Sequence, residues 1–364
     1  MFLAISFSSI GMFLLKLLLL FFVLGVIILV HEFGHFIWAK KFGVHIYEFS
    51  IGMGPIIHTH TGKDKIDYNF RALPIGGFVS MAGEVYDDDD KVPKKKLLCN
   101  KPWHQRLIIM VAGVVNNFIL AILLLIIYAA IWGGSPISPT VSQVVKDSPA
   151  EKSGLVKGDT IKAINGHKVG CWDKAQIVLY YKYDKKTYTF KVEHKDGQVE
   201  TLKIRPDVTE NEDGTKTRTF GFGIKPFESK NPFKIIGYGF ARTATLVDSF
   251  ATTIWGLITG KIALNNLSGP VGIYTIVGES VGLKLGDAIN YLIYLIAYLC
   301  INVGFINILP FPAFDGGHVL FLLIEKVFKK PVDSNIENTC HLIGFILIFL
   351  LMIIVTIGDI IKLF

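Results

Sequence analysis

Residues 12–35 read MFLLKLLLLFFVLGVIILVHEFGH, an apolar run that ends in a cluster of ionisable residues. Residues 12–30 are long enough to cross the roughly 30 Å hydrocarbon core of a bilayer as one helix. Lys16 is the only charged residue in this run, and no small-x-small cleavage site follows it, which favours a retained span over a removed signal sequence. The motif His31-Glu32-Phe33-Gly34-His35 is therefore expected at the end of a membrane helix.

The composition of the whole chain agrees with a membrane protein. Of its 364 residues, 51% are hydrophobic and 18% are charged, and the mean hydropathy is +0.47. A water-soluble protein of this size could not cover so much apolar surface. The net charge of +7 is therefore expected to report membrane orientation, and nucleic acid is not an expected partner. The four cysteines form no CxxC pair, which argues against a disulfide framework or a thiolate zinc site.

Three more apolar segments, 107–131, 288–309 and the shorter 342–358, predict a polytopic α-helical membrane protein with four transmembrane helices. Residues 233–262 are also apolar but contain Arg242 and Asp248, so they form either a weak fifth span or a helix in the interface. With four spans, the ends of the first and third spans lie on the same face of the membrane. A fifth span at residues 233–262 would put them on opposite faces. A metal site shared by the ends of the first and third spans requires both ends on the same face, so the interfacial helix is favoured.

Basic residues cluster in the two connections that follow the first and third spans. By the positive-inside rule both connections are cytoplasmic, and the long segment after the second span lies outside. The expected topology has both chain termini outside and the polar end of the first span toward the cytoplasm.

The HEFGH motif predicts a metal site. In a helix, histidines at positions i and i+4 share one face, so His31 and His35 can bind one ion while Glu32 takes a proton from the attacking water. Burying three ionisable groups in a membrane costs several kcal/mol unless a metal or a partner satisfies them. A surface HExxH at a helix end is the less favoured alternative.

A catalytic zinc usually has three protein ligands and one open position, so a third donor is needed. Asp315 is the candidate, within NILPFPAFDGG at residues 307–317, where prolines break the helix and glycines allow close approach. His318 is a rival ligand, and a helix cap or turn is the alternative role for Asp315.

Three motifs together resemble the site-2 protease family of intramembrane zinc metalloproteases: HEFGH, AGVVNNFILAIL at 112–123, and NILPFPAFDGG. The chain is most similar to the bacterial branch that cleaves membrane-bound anti-sigma factors and remnant signal peptides. Residues 73–84, LPIGGFVSMAGE, are similar to the membrane-associated β-loop of that family.

The resemblance implies roles for eight residues. By this resemblance, the metal ligands are His31, His35 and Asp315, and the catalytic base is Glu32. The substrate-binding residues are Asn307, Gly77, Phe78 and Val79. The last three agree with a physical argument. A substrate helix must be opened before its peptide bond can be attacked, and pairing with an edge strand compensates the broken hydrogen bonds.

Residues 148–166, SPAEKSGLVKGDTIKAING, are similar to the core of a PDZ domain. The predicted organisation has two transmembrane helices and the β-loop in 1–131, and one extracytoplasmic PDZ domain in 136–206. A post-PDZ region with an amphipathic interfacial helix follows in 207–286, and the last two transmembrane helices lie in 287–364. The PDZ domain is expected either to bind a chain end by strand addition or to filter out substrates with bulky outer domains.

The sequence thus predicts a zinc metalloendopeptidase of the bacterial inner membrane with Zn²⁺ as cofactor. The resemblance implies that it cleaves within or near the transmembrane helices of single-span proteins of the anti-sigma factor or remnant signal peptide class. Two rival functions are a PDZ scaffold with an inactive metal site and a metal-ion transporter. The complete HExxH motif disfavours the scaffold, and the scarcity of polar residues in the last two spans disfavours the transporter.

Overall fold

The computed structural model describes residues 7–84, 92–182, 186–210, 216–264, 267–330 and 332–362. The chain forms two compact units, one of Met1–Leu124 with Asn265–Phe364 and one of Leu125–Leu264. The helices of the described residues are α1 (Phe7–Lys41), α2 (Trp103–Trp132), α3 (Pro149–Lys152), α4 (Trp172–Gln176), α5 (Pro232–Ile258), α6 (Pro270–Glu279), α7 (Leu285–Asn307), α8 (Asp315–Phe328) and α9 (Ser334–Ile361). The strands are β1 (Ile46–Thr61), β2 (Asp67–Met81), β3 (Val141–Val144), β4 (Thr160–Ile164), β5 (His167–Lys168), β6 (Tyr188–Glu193), β7 (Val199–Ile204), β8 (Asp207–Glu210), β9 (Lys216–Thr219) and β10 (Phe222–Ile224).

Four helices in the described part of the chain, α1, α2, α7 and α9, are long and apolar enough to cross a membrane. All four expose many apolar side chains, and α1, α2 and α7 also bury several. In α1, for example, Val23 and Ile27 are fully buried whereas Phe22 is exposed. Exposed apolar surface on such helices is the surface that a bilayer covers. The prediction of a polytopic membrane protein with four spans is confirmed.

The β1–β2 sheet packs against the carboxyl-terminal half of α1. Phe36 and Ala39 of α1 share a core with Phe49 of β1 and Val79 of β2. Phe49 has two partners in β2, Val79 on one side and Tyr68 on the other, so residues 77–81 form an outer edge of the sheet. This edge lies beside the HEFGH segment of α1.

The unit Leu125–Leu264 contains an antiparallel sheet in the order β5-β4-β6-β7 and a separate pair of β3 with β10. Its core includes Phe220, whose ring centroid lies 5.3 Å from that of Tyr188 and 5.6 Å from that of Phe190. The predicted domain limits of 136–206 leave out both Phe220 and β10. Both belong to the folded core, because β10 returns to pair with β3, and the predicted division into domains stays a prediction.

The ambiguous apolar segment 233–262 forms helix α5 as far as Ile258. The helix begins after Asn231, whose side chain accepts hydrogen bonds from the backbone N–H groups of Phe233 and Lys234. Arg242 in α5 is buried and forms an ion pair with Asp173 of α4. Helix α5 is long enough to span a membrane, but it is not among the four described helices that are also apolar enough. Its interfacial position stays a prediction.

Helix α6 is capped by a residue from the far end of the chain. The backbone N–H groups of Gly269 and Gly272 donate to Oδ2 of Asp359 in α9, at 2.7 and 2.8 Å. The Asp359 side chain is only 4% exposed, and Lys362 lies 3.6 Å from its other oxygen. This contact ties the end of α9 to the start of α6, because a helix amino terminus has N–H groups without partners of their own.

Candidate metal centre

The α1 helix continues through HEFGH, as the spacing predicts, and places both histidines on its buried side. His31 and His35 are 6% and 7% exposed. Their Nε2 atoms lie 3.3 Å apart, and the ring planes meet at 73°. Two imidazoles in this arrangement can direct their Nε2 lone pairs at one point.

Asp315, the first residue of α8, meets the two histidines. Its Oδ2 atom lies 3.0 Å from Nε2 of His31 and 3.5 Å from Nε2 of His35. Ligands of a tetrahedral zinc ion, with bonds of about 2.0–2.1 Å, lie roughly 3.3 Å apart. The three atoms therefore have the spacing of one face of a zinc tetrahedron. Among the described residues Oδ2 of Asp315 is buried and has no hydrogen-bond partner, so its lone pairs are available to a cation.

Helix α2 orients both imidazoles. Nδ1 of His35 donates to the backbone oxygen of Ile109 at 2.7 Å, which leaves Nε2 unprotonated in the neutral ring. Nδ1 of His31 lies 3.3 Å from the side-chain nitrogen of Asn117, a fully buried residue whose Oδ1 has no partner among the described residues. Turning the Asn117 amide over lets Oδ1 accept from Nδ1–H and frees Nε2 of His31 for the metal.

A glycine leaves room for the ion. A Cβ atom at Gly113 of α2 would lie 2.7 Å from Nε2 of His31 and still closer to Nε2 of His35. Any other residue would fill the space in front of the donor atoms. The two histidines, the carboxylate and this gap fit a zinc ion. Neither Gly113 nor Asn117 was assigned a role from the sequence, although both lie in the AGVVNNFILAIL motif.

The side chain of Glu32 reaches the sheet. Its Oε2 accepts a hydrogen bond from the backbone N–H of Val79 at 3.3 Å. A cavity of about 120 Å³ opens beside it, lined among others by Glu32, His35, Val79 and Asp315. This volume is large enough for several water molecules. The sheet edge, the carboxylate and the metal donors thus border one space.

The other predicted residues occupy different places. Gly77 and Phe78 lie on the outer edge segment with Val79, and the guanidinium of Arg71 lies 4.9 Å from the centre of the Phe78 ring. Asn307 is the last residue of α7 and is half-buried. His318, the rival ligand, lies away from the two histidines of α1, and its Nδ1 is 3.1 Å from Oε1 of Glu337.

Four spanning helices, with a His-His-Asp donor set beside a carboxylate, define the class of membrane-embedded metallohydrolases. Comparison with known proteins specifies the family. The model of peptidase family M50 matches residues 19–351. The chain belongs to this family, the site-2 protease family of zinc metalloproteases. Zn²⁺ is accordingly its expected cofactor.

Several bacterial proteins are similar along nearly their whole length. Zinc metalloprotease RasP of Shouchella clausii is 31% identical over 424 residues, covering 94% of this chain and 98% of the relative. A Clostridium acetobutylicum protein, provisionally named a zinc metalloprotease, is 34% identical over 340 residues, covering 93% and 95%. A provisionally named relative from Fusobacterium nucleatum is 35% identical over 356 residues, covering 94% and 97%.

Proposed function

We propose that this protein cleaves peptide bonds within or near the transmembrane helices of single-span membrane proteins. The observation that carries the proposal is the position of Glu32, which lies between the donor set of His31, His35 and Asp315 and the sheet edge at Val79. A hydrolytic centre beside a strand edge suits a substrate that binds as an extended chain.

The residues have separate roles in this proposal. His31, His35 and Asp315 hold zinc, which when bound supplies the Lewis acidity that acidifies water and polarises a peptide carbonyl. Glu32 accepts the proton of the attacking water and delivers it to the nitrogen of the departing amine. Asn117 and the backbone of Ile109 keep both imidazoles oriented.

Residues 77–81 bind the substrate. A transmembrane helix conceals its peptide bonds in its own hydrogen bonds, and opening one turn leaves several backbone groups unsatisfied in a medium without water. Gly77, Phe78 and Val79 offer backbone groups on an outer strand edge to compensate this loss. Asn307 supplies a side-chain amide for the unwound segment.

The substrate class and location follow from the family resemblance and from charge. The substrates are anti-sigma factor-like proteins or remnant signal peptides in the bacterial inner membrane, and the metal centre faces the cytoplasm. Residues 136–206, within the unit Leu125–Leu264, form a PDZ domain on the outer side, where it filters substrates by size or binds a chain end.

The test is cleavage of a tagged single-span substrate in liposomes by the full-length protein. Glu32→Gln should bind one zinc per chain as the unchanged protein does, yet lose cleavage. A zinc chelator should abolish cleavage, and added zinc should restore it. If Glu32→Gln cleaves at the unchanged rate, the proposed role of Glu32 is wrong. If the unchanged protein binds no zinc, the proposed metal centre is wrong.

A further inference from the structure

The loop that presents Asp315 has an unfavourable backbone conformation. Residues 308–314 connect α7 to α8, and Ala313, two residues before Asp315, has a φ of 87°. A non-glycine residue at positive φ is energetically unfavourable and persists only where surrounding contacts hold it. The contacts that hold this loop therefore influence where the Asp315 carboxylate lies.

Helix α9 supplies one of these contacts through His341. The backbone N–H of Ala313 donates a hydrogen bond to Nδ1 of His341 at 3.1 Å. Nδ1 must therefore be unprotonated, which puts the proton of the neutral ring on Nε2. Nε2 faces Oε1 of Glu337 at 4.0 Å, and the same oxygen accepts from Nδ1 of His318 at 3.1 Å.

These contacts flank Asp315 on both sides. Ala313 precedes it by two residues, and His318 follows it by three in the first turn of α8. Both are held by side chains of α9, namely His341 and Glu337. Helix α9 also approaches the loop closely at Gly344, where a Cβ atom would collide with the backbone oxygen of Pro312.

His318, Glu337 and His341 resemble a second metal site in composition, but not in geometry. The two imidazole rings are stacked, with centroids 4.0 Å apart and planes at 21°. A metal ion in the plane of one imidazole would lie well outside the plane of the other. The nitrogen lone pairs of His318 and His341 therefore do not converge on one point. The rings of His31 and His35, at 73°, do allow convergence. The cluster therefore suits a structural role.

We propose that His341 is a positioning residue for the metal centre, acting through the Ala313 N–H to place the carboxylate of Asp315. The inference rests on the proposed function, because it takes Asp315 as the third zinc ligand. Gly344 supports this role by letting α9 reach the loop.

The experiment measures zinc affinity of the full-length protein in detergent by competition with a chromophoric chelator. His341→Phe removes the acceptor, whereas His341→Asn keeps an oxygen where Nδ1 was. Outer-shell partners of zinc ligands are typically worth about 10–100-fold in metal affinity. We expect His341→Phe to weaken zinc binding by about that factor, and His341→Asn to stay within about threefold of the unchanged protein.

Gly344→Ala tests the same geometry without altering His341. Its methyl group would displace Pro312, so zinc affinity should fall although alanine favours a helix more than glycine does. Gly358→Ala is the matched control on α9, because a Cβ atom there meets no other atom within 4 Å. Zinc affinity of Gly358→Ala should equal that of the unchanged protein. If His341→Phe does not fold, the zinc affinity of Gly344→Ala tests the positioning role instead.

The results separate this proposal from the proposed function. Asp315→Ala should abolish tight zinc binding, and if it does not, the metal centre itself is wrongly assigned. If Asp315→Ala loses zinc while His341→Phe and Gly344→Ala bind it as tightly as the unchanged protein, only the positioning role is overturned. Equal weakening by His341→Asn and His341→Phe would also overturn it, because the hydrogen-bond acceptor would then have no effect.

Discussion

The backbone N–H of Val79 donates a hydrogen bond to Oε2 of Glu32, at 3.3 Å. This N–H lies on the outer edge of the sheet, where an added substrate strand requires a donor. A substrate that pairs with Val79 takes the hydrogen bond from Glu32. We therefore expect substrate binding to release the carboxylate that accepts the proton, which couples occupation of the edge to catalysis.

Replacing Val79 by proline tests this edge. Proline removes the N–H and is tolerated on edge strands. One hydrogen bond contributes about 0.5–1.5 kcal/mol, so kcat/KM for a single-span substrate should fall by about twofold to tenfold. Val79→Ala is the matched control, because it shortens the same buried side chain and keeps the N–H. Equal kcat/KM for the two variants would contradict the use of this edge.

Zinc content distinguishes the two candidate third ligands. His31→Ala and Asp315→Ala each remove one of three donors and should weaken zinc binding by more than about 100-fold. His318→Ala should retain one zinc per chain, because its ring lies with Glu337 and His341. Metal analysis of the purified variants is the measurement. Loss of zinc from His318→Ala but not from Asp315→Ala would reverse the assignment.

Two adjacent asparagines of α2 provide a matched test of histidine orientation. Asn117 contacts Nδ1 of His31, whereas the Asn116 side chain donates to the backbone oxygen of Val30 at 3.3 Å. Asn117→Ala should weaken zinc binding by about 10-fold or more, because it leaves the His31 ring without its partner. Asn116→Ala should change zinc affinity by less than about threefold. Chelator competition measures both, and equal effects would disprove a specific role for Asn117.

The cap of α6 by Asp359 predicts a stability effect away from the metal centre. Asp359→Ala leaves the N–H groups of Gly269 and Gly272 without their acceptor, which should lower the free energy of unfolding by about 2 kcal/mol. Asp359→Asn keeps an acceptor oxygen and should lose less. Thermal unfolding in detergent is the measurement. An Ala variant that unfolds at the same temperature as the unchanged protein would contradict the capping role.

His194 predicts a pH dependence in the unit Leu125–Leu264. Its hydrogen bonds to Asp159 at 2.8 Å and Glu200 at 3.3 Å raise the pKa of the imidazole above its ordinary value. Because the folded-state pKa is raised, the stabilisation is complete below the ordinary value of about 6.5 and disappears as pH rises through the folded-state pKa.

Hydrogen exchange of β6 and β7, corrected for intrinsic rates, measures this dependence in the full-length protein. Protection should fall as pH rises through the pKa of His194, and His194→Gln should remove the change. The same pH dependence in both proteins would contradict the role of His194.

Local sequence patterns predicted the parts of the site that lie on single helices. The spacing of His31 and His35 depends only on helix geometry, and the prolines and glycines around Asp315 mark the turn that brings it inward. The roles of Asn117 and Gly113 were missed because they depend on how α2 packs against α1, which periodicity along one helix does not reveal. His341 was missed for the same reason, since its partner Ala313 lies in a separate element.

The later part of the Leu125–Leu264 unit was also harder to predict. A short strand such as β10 has too few residues for a clear alternating pattern, and its pairing with β3 bridges a long stretch of sequence. Phe220 belongs to the core only because this return places its ring against Tyr188 and Phe190.

The donors of the metal centre are far apart in the order of synthesis. His31 and Asp315 are separated by 315 − 31 = 284 residues, and Asp315 comes after α7. A ribosome therefore reaches residue 315 before all three donors exist. We therefore expect the nascent chain to lack a complete set of metal donors, and so to cleave no neighbouring helix, until this point.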